Sequence, residues 1–338
     1  MTDLNKIARA MVAPGKGVLA IDETAPTATK RFDKLGIEST PETRRDYRMM
    51  LCLTPGAGDY VSGAILYDET IHQQAPDGRP VPEALNAAGI IPGIKVDTGA
   101  KPLAASPDET ITEGLDGLRD RLKEYYEIGA RFAKWRAVIK IGAHMPSRLC
   151  IETNAHALGR YAALAQEAGI VPIVEPEVLM DGDHDIDRCQ QATEAVLRAV
   201  FRELASQYVQ LEGMILKPNM TVPGMTCPEQ ATPGIVAART LETLRRCVPA
   251  AVPGIAFLSG GMTGEEACRN LNEINKQPNL PWEVSYSFGR ALQFPAMEVW
   301  AGKESNIAAA QAAFAHRARM TSLARQGKYA PEMEREAA

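Results

Sequence analysis

Runs of apolar and β-branched residues recur along the chain at spacings of roughly 30 to 45 residues. Their apolar character is continuous and not alternating, which is typical of strands that are covered on both faces. The runs with this character are 18–22, 61–67, 93–96, 132–141, 170–177, 213–217, 254–259 and 283–288. These segments are predicted to be the strands of a buried parallel sheet.

Between the runs lie stretches with helical character, and more of them follow the last run. The predicted helices cover 114–128, 152–168, 185–207, 233–247, 290–300 and 303–325, and residues 1–17 form a short amphipathic helix that ends in a turn. Eight strands that alternate with helices predict an α/β fold, a single (β/α)8 TIM barrel. No change in composition marks a second domain, so residues 1–338 are expected to form one domain, with 325–338 as a flexible tail.

Composition narrows the class of protein. The chain has 338 residues, of which 45% are hydrophobic, so it can bury a large core. The net charge of -5 is spread over mixed signs without a basic stripe, which argues against nucleic acid or an anionic membrane as a partner. No apolar run reaches the roughly 18 residues that span a bilayer. The six cysteines are scattered and no targeting segment is evident, so a cytoplasmic, reducing location is expected.

A barrel carries its chemistry at the carboxyl ends of its strands. Several polar residues fall near the predicted ends: Asp22, Lys95, Glu175, Glu177, Lys217, Ser259 and Arg290. Within the fourth predicted strand, Lys134 and Arg136 have the same parity as Lys140, so the three side chains should share a face. The barrel interior is one place where such a charged row can lie.

Lys217 ends the run Gly-Met-Ile-Leu-Lys and is the candidate nucleophile. Partial burial and neighbouring cations such as Lys134 would favour the uncharged amine that can attack a carbonyl carbon. Taken alone, the residue also fits a strand-end lysine that extends its ammonium group to water.

Glu175 and Glu177 are two residues apart in an extended segment, so both carboxylates should point the same way. Two close like charges repel each other, which suits one carboxylate to act as a general acid and base and the other as its tuning partner. An exposed acidic strand end, or a structural pair for Lys134 and Arg136, remains an alternative from the pattern alone.

Two glycine-containing turns follow the seventh and eighth strands. Ser259-Gly260-Gly261 precedes a helix start, where Thr263 and Glu266 have capping-box spacing. Exposed backbone N–H groups and a helix N-terminus there would favour an anion, and Gly289-Arg290 adds a bidentate cation. Because barrels often bind phosphate between these two loops, the pair predicts a phosphate site.

Metal binding is not predicted. The five histidines show neither H-E-x-x-H nor another paired spacing, and 181–185 is interpreted as an acidic helix start without the spacing of a calcium loop.

Some of the charged residues near strand ends also have simpler explanations. Asp22, and Lys95 together with Asp97, could equally form surface ion pairs of little energetic value. Arg31 could be an ordinary cation on a helix face.

Taken together, the segments GKGVLAIDET, DGRPVPEAL, GIKVDTG, FAKWRAVIKIG, GIVPIVEPEVLMDGDHD, EGMILKPNM, FLSGG, SFGRALQ and SLARQGKY resemble the signatures of class I fructose-bisphosphate aldolases, in the family's order. The resemblance implies reversible cleavage of fructose 1,6-bisphosphate into two triose phosphates, without a metal or other cofactor, in a cytoplasmic homotetramer.

The resemblance also implies roles. Lys217 would form the Schiff base, with Glu175 as proton donor and acceptor and with Asp22, Lys134 and Glu177 assisting. The residues that would hold one phosphate are Ser259, Gly260, Gly261, Ser287, Gly289 and Arg290. Arg31 and Lys95 would lie toward the other end of the sugar, with Arg136 close to the catalytic group.

The chain departs from the family pattern after Asp22 and Glu23, where it has Thr24-Ala-Pro-Thr27 in place of the Ser-Thr-Gly-Ser common in animal enzymes, and Thr98 stands where many members have lysine. Two other functions stay open from sequence. One is another lysine-dependent sugar-phosphate aldolase, such as a transaldolase-like enzyme with one phosphate site. The other is a non-catalytic scaffold on the same fold.

Overall fold

The computed structural model describes residues 3–335, and a closed barrel of eight parallel strands forms its centre. The strands within this range are β1 (Gly17–Ala20), β2 (Val61–Leu66), β3 (Ile91–Lys95), β4 (Gly99–Leu103), β5 (Ser106–Glu113), β6 (Phe132–Ile139), β7 (Val171–Val178), β8 (Ile215–Leu216), β9 (Gly254–Phe257) and β10 (Glu283–Phe288). The barrel closes where β10 pairs with β1, while β4 and β5 form a separate antiparallel hairpin. The predicted TIM barrel is confirmed.

Helices surround the barrel. They are α1 (Asp3–Met11), α2 (Ala25–Asp33), α3 (Pro41–Cys52), α4 (Ala57–Tyr60), α5 (Asp68–Ile71), α6 (Val81–Ala87), α7 (Leu118–Glu127), α8 (Arg148–Glu167), α9 (Ile186–Ser206), α10 (Pro233–Cys247), α11 (Gly264–Asn275), α12 (Arg290–Trp300) and α13 (Ile307–Arg325). Short 3₁₀ turns cover Leu211–Gly213, Glu304–Asn306 and Pro331–Arg335. In the described part of the chain, no helix combines the length and apolarity needed to cross a bilayer.

The barrel interior has an apolar floor and a charged upper layer. On β7, Val171 and Ile173 belong to the apolar floor, whereas Glu175 and Glu177, which have the same parity, line a cleft above it. The same change occurs on β1 (Val18 and Ala20, then Asp22), β6 (Phe132, then Lys134 and Arg136) and β8 (Ile215, then Lys217). Full burial of a floor residue such as Phe132 contributes about 1.5–3 kcal/mol relative to exposure.

The predicted elements match the observed ones most closely where packing is regular. The segments 233–247, 283–288 and 290–300 were predicted with the bounds that the structure shows. β8 is shorter than predicted at both ends: Gly213 belongs to the 3₁₀ turn Leu211–Gly213, and Lys217 is followed by Pro218, which lacks an N–H group for the ladder. Lys217 still donates its main-chain N–H to the Val174 carbonyl at 2.8 Å, which fixes it against β7.

Helix caps explain the other boundaries. Thr263 and Glu266 form the predicted capping box at the start of α11. Asp185 accepts a hydrogen bond from the main-chain N–H of Arg188 at 2.7 Å, so the acidic segment does begin a helix. α8 begins four residues earlier than the predicted residue 152, because Ser147 caps it.

The pattern did not predict the β4–β5 hairpin or helices α2 to α6. The hairpin is rich in polar residues, and two threonines in β5 determine its position. The Thr110 hydroxyl donates to the Val138 carbonyl at 3.0 Å and the Thr112 hydroxyl to the Arg136 carbonyl at 2.8 Å, so the hairpin packs against β6. Such side-chain bonds across 24 and 28 residues leave no periodic signal in the sequence.

The segment after α13 makes specific contacts as far as Glu334, whereas a flexible tail was expected from its polar composition. Tyr329 is buried, and its main-chain N–H donates to Asn272 Oδ1 at 2.9 Å. The Glu334 carboxylate accepts hydrogen bonds from the Tyr329 hydroxyl and from Arg317, each at 2.8 Å. Residues 336–338 of the predicted tail lie outside the described residues.

The apolar floor allows one direct test of the packing. A Cβ added to Gly93 would lie 2.2 Å from two ring atoms of Phe132, which is fully buried. We expect Gly93→Ala to lower the free energy of unfolding by about 1–3 kcal/mol, because the ring has no space to move. Gly234→Ala in α10, where no atom lies within 4 Å of the added carbon, should change it by less than about 1 kcal/mol. Urea titrations at equal protein concentration provide the measurement, and equal midpoints for both variants would contradict the tight floor.

Candidate active site

A cleft of about 930 Å³ opens at the carboxyl ends of the barrel strands. All of the sequence-predicted site residues except Gly261 line it: Asp22, Arg31, Lys95, Lys134, Arg136, Glu175, Glu177, Lys217, Ser259, Gly260, Ser287, Gly289 and Arg290. Gly261 lies just behind this wall, since a Cβ added to it would be 3.6 Å from Arg290 Nη2. Lys140 does not belong to this group, because β6 ends at Ile139 and the lysine is exposed beyond it.

A chain of alternating charges occupies the cleft floor. Lys217 Nζ lies 3.0 Å from Glu175 Oε1, and Lys134 Nζ lies 3.5 Å from the other oxygen of the same carboxylate. Lys134 also pairs with Asp22 at 2.7 Å. Lys134, Glu175 and Lys217 are each 3–4% exposed, so water screens these charges poorly.

Neighbouring charges shift the pKa values of Asp22 and Lys134 in opposite directions. Burial alone would raise the pKa of Asp22, but the cations of Lys134 and Lys217 lower it from the ordinary 3.8 to about 2. Burial opposes the charge of Lys134 as well, yet Asp22, Glu175 and Asp97 raise its pKa above the ordinary value. At neutral pH Asp22 is therefore an anion and Lys134 an ammonium group.

Glu177 points into the same cleft as Glu175, as their parity predicted, but it has a different partner. Its carboxylate accepts a hydrogen bond from Arg136 Nε. Burial opposes the positive charge on Arg136, but Glu177 and Glu175 together raise the pKa of the guanidinium group. Glu175 thus pairs with Lys217 and Lys134, whereas Glu177 pairs with Arg136. Both interpretations of the sequence pattern are therefore partly right, because the two carboxylates face one cleft and also pair with the cations of β6.

Asp97 was treated as a possible surface residue, and the structure instead buries it beside the cleft. Its Oδ1 lies 2.7 Å from Lys95 Nζ and accepts a hydrogen bond from the Gly99 N–H. Its Oδ2 accepts from the Arg136 N–H at 3.3 Å and lies 4.0 Å from Lys134 Nζ. Asp97 therefore ties the end of β3 to β6 and to the hairpin, a role that requires the fold to be known.

One end of the cleft consists of the loops after β9 and β10. Gly260 and Gly261 have φ values of 58° and 107°, a backbone conformation that favours glycine. The buried Ser287 hydroxyl faces the cleft without a hydrogen-bond partner among the described residues. Arg290 is exposed at the start of α12, next to Gly261. A free hydroxyl, a glycine turn and an arginine are suited to hold a phosphate.

The opposite rim is built by α2 and its C-cap residue Lys34, in a segment for which no helix bounds were predicted. Thr27, Lys30, Arg31 and Lys34 lie three or four residues apart and all line the cleft. This spacing was visible in the sequence, but it indicates a shared face only once the segment is known to be helical. Pro26 falls in the first turn of α2, where a missing N–H group costs little. The rim therefore carries three cations, of which only Arg31 had been predicted.

Comparison with known proteins extends the match beyond the cleft. The profile of a family described as "Fructose-bisphosphate aldolase class-I" matches residues 3–338. A Xanthomonas axonopodis pv. citri protein, "Probable fructose-bisphosphate aldolase class 1", is 56% identical over 327 residues, which are 96% of this chain and 98% of the relative. "Fructose-bisphosphate aldolase 6, cytosolic" from Arabidopsis thaliana is 51% identical over 317 residues, 94% of this chain and 88% of the relative.

A solved structure agrees in shape as well as in sequence. It is fructose-bisphosphate aldolase from Plasmodium falciparum in complex with TRAP and a small-molecule inhibitor. It matches with a TM-score of 0.95 at 46% identity, and the match covers 97% of this chain and 95% of that one. The likeness therefore includes the barrel and the surrounding helices, in addition to the motifs that border the cleft.

The buried charges predict a pH-dependent penalty for removing Lys134. We expect Lys134→Met to lower the free energy of unfolding at pH 7.5 by about 3–5 kcal/mol, because Asp22 would remain a buried anion without its main partner. The low pKa of Asp22 contributes stability that is present above pH 3.8 and lost as the pH falls through 2. Without Lys134, burial is the largest remaining influence on Asp22 and raises its pKa, so the folded variant should bind a proton at a higher pH than the unfolded chain does, and its deficit relative to the parent should shrink as the pH falls from 7.5 toward 4.

The matched control is Lys140→Met, which removes an exposed lysine just beyond the same strand. Its unfolding free energy should stay within about 0.5 kcal/mol of the parent. Urea titrations of both variants at several pH values provide the measurement. A Lys134→Met deficit that is the same at every pH would contradict the electrostatic account.

Proposed function

Since the chain belongs to the class I fructose-bisphosphate aldolase family, whose reaction is the reversible cleavage of fructose 1,6-bisphosphate to dihydroxyacetone phosphate and glyceraldehyde 3-phosphate, we propose that Lys217 forms the Schiff base of this reaction. The observation that carries the proposal is the 3.0 Å contact between Lys217 Nζ and Glu175 Oε1 in a buried site. An amine with a carboxylate at this distance has a partner for every proton that it must lose or gain.

The choice of Lys217 over Lys134 follows from their partners. Lys134 has carboxylates at 2.7, 3.5 and 4.0 Å, and its raised pKa keeps it an ammonium group that cannot attack a carbonyl. Lys217 makes a single ion pair among residues 3–335, with Glu175. Proton transfer to that carboxylate leaves a neutral amine on Lys217. The two nearby cations, Lys134 and Arg136, favour this uncharged form because they repel a positive charge on Lys217.

The covalent steps use this pair. The amine of Lys217 attacks C2 of the open-chain ketose, and Glu175 protonates the resulting hydroxyl group so that it leaves as water. The product is a protonated imine, whose positive charge lies beside the permanently ionised Asp22. Because Asp22 has a pKa of about 2, it acts through its charge and not as a proton donor at neutral pH.

Carbon–carbon cleavage follows. The imine withdraws the electron pair of the C3–C4 bond as the C4 hydroxyl passes its proton to Glu175, which releases glyceraldehyde 3-phosphate. Glu175 then returns a proton to C3 of the enamine, and water hydrolyses the imine to free dihydroxyacetone phosphate. Lys134 and Glu177 hold Asp22, Glu175 and Arg136 in place during these steps. The cationic imine serves as the electron sink, so the steps use no metal or other cofactor.

The two ends of the cleft fit the two phosphates of the substrate. The C1 phosphate is carried on the carbon next to the ketone, so we assign it to the loops after β9 and β10, whose strands follow β8 around the barrel. The residues of this grip are Ser259, Gly260, Gly261, Ser287, Gly289 and Arg290. The C6 phosphate then points toward Arg31 and Lys95, with Lys30 and Lys34 nearby. Two grips align the sugar before the bond breaks.

The alternatives fit less well. A transaldolase-like enzyme with one phosphate site would not need a second group of cations on α2. A non-catalytic scaffold would not need buried Lys217, Glu175 and Lys134, because burying charges costs free energy that apolar side chains would not require.

We extend the proposal to a cytoplasmic homotetramer. The six cysteines are all free thiols, which fits a reducing compartment, and the Arabidopsis relative is named as cytosolic. The support for the tetramer is family membership. Light scattering on the purified protein should give four times the chain mass of 36.6 kDa, and a monomer mass would contradict this part of the proposal.

Trapping with borohydride tests the Schiff base. Reduction in the presence of dihydroxyacetone phosphate should turn the imine into a stable amine, and peptide mass mapping should find the adduct on Lys217. Lys217→Met should keep the fold, form no adduct and lose cleavage by at least ~1000-fold, since covalent catalysis is removed. EDTA should leave turnover unchanged. An adduct on Lys134 or Lys95 would overturn the assignment.

A further inference from the structure

Gln293 is the last residue of the segment SFGRALQ, and no step of the proposed reaction uses it. It lies in α12, one helical turn after Arg290, and it is fully buried. A buried amide is costly unless its polar atoms are hydrogen-bonded, so its partners indicate what it does.

All of the partners of Gln293 lie on elements around the α2 rim of the cleft. Its Nε2 donates to the Ala20 carbonyl at the end of β1, at 2.5 Å, and to Glu23 Oε1 at 2.8 Å. Its Oε1 accepts a hydrogen bond from the Tyr47 hydroxyl of α3 at 3.1 Å. The amide thus joins α12 to β1, to α3 and to the loop before α2.

Glu23 connects this amide to substrate binding. The Glu23 oxygen that accepts from Gln293 also forms the ion pair with Arg31 Nη1. The Glu23 main chain is fixed separately, because Arg48 Nη2 donates to its carbonyl at 2.6 Å. The carboxylate therefore has a defined position, set on one side by Gln293, and it offers Arg31 a single fixed partner.

We propose that Gln293 is a positioning residue for the C6-phosphate grip: it orients the Glu23 carboxylate, which in turn holds Arg31 toward the cleft. The inference rests on the proposed function, since it assumes that Arg31 meets the phosphate farther from Lys217. It also connects the two phosphate sites through one helix, because α12 begins with Arg290 at the C1-phosphate site and contains Gln293, whose partners lie at the C6-phosphate site.

A purely structural role would look different in kinetics. If Gln293 only supported α12, its loss would disturb Arg290 and would affect every substrate that carries a C1 phosphate. If it acts through Glu23 and Arg31, its loss should affect substrates with a C6 phosphate and spare those without one. Fructose 1,6-bisphosphate and fructose 1-phosphate differ by this group alone.

The test compares Gln293→Met, which keeps the length of the side chain and removes its polar atoms, with the parent enzyme on both substrates. We expect KM for fructose 1,6-bisphosphate to rise about five- to tenfold with kcat within twofold. For fructose 1-phosphate, kcat/KM should change less than twofold. In an Arg31→Gln background, Gln293→Met should change KM for fructose 1,6-bisphosphate less than twofold, because both substitutions remove the same interaction with the C6 phosphate.

Gln311→Met is the matched control, because Gln311 is a helical glutamine that donates to a main-chain carbonyl, that of Met50, away from the cleft. This variant should leave KM and kcat unchanged for both substrates. Should Gln293→Met fold poorly in a thermal melt, Tyr47→Phe removes one hydroxyl from the same network and should raise KM for the bisphosphate about twofold.

Equal losses on both substrates, or no loss on either, would overturn the positioning role. So would additive effects of Arg31→Gln and Gln293→Met. A parent enzyme that cleaves neither substrate would instead contradict the proposed function, so the two failures can be told apart.

Discussion

The site depends on the burial of charges inside a closed barrel. The cleft floor holds four carboxylates, from Asp22, Asp97, Glu175 and Glu177, and four cations, from Lys95, Lys134, Arg136 and Lys217. Apart from the partly exposed Arg136, these side chains are at most 13% exposed, and each of the eight has an opposite charge within 4.0 Å, as buried charges require. In the proposed reaction, Lys217 passes its proton to Glu175, so both charges of this pair disappear together, and formation of the cationic imine, which uses the proton on Glu175, restores them. The pairing thus favours the reaction intermediate as well as the resting state.

The apolar floor makes this charge layer possible. Inward positions on β1, β6, β7 and β8 are apolar near the strand starts and ionisable at the ends. The apolar part is filled by side chains such as Phe132 and closed from below by α1, so the ionisable groups rest on a packed base that excludes water. They lie on the strands or within two residues of a strand end, which limits their movement and strengthens their mutual interaction.

Strand parity is the part of this site that the sequence could predict. The two-residue spacing of Glu175 and Glu177, and of Lys134 and Arg136, states which side chains share a face without any knowledge of the fold. It could not identify partners, because those depend on which strands are neighbours: Asp97 meets Lys134 through the β3–β6 pairing. Lys30 and Lys34 were missed because α2 is short and mostly polar, and Gln293 because its partners lie some 250 residues away or more.

The two proposed phosphate grips differ in their existing contacts, and the difference suits the order of the proposed reaction. At the C1 end, the Ser287 hydroxyl has no partner among the described residues, and no ion pair of Arg290 is seen there either, so an incoming phosphate displaces little. At the C6 end, Arg31 is already paired with Glu23 and Lys95 with Asp97, so a phosphate must compete with carboxylates. This competition would weaken binding at the end that, in the proposed reaction, leaves first as glyceraldehyde 3-phosphate. The triose proposed to stay attached to Lys217 would keep its phosphate in the site that has no competing carboxylate until hydrolysis frees it.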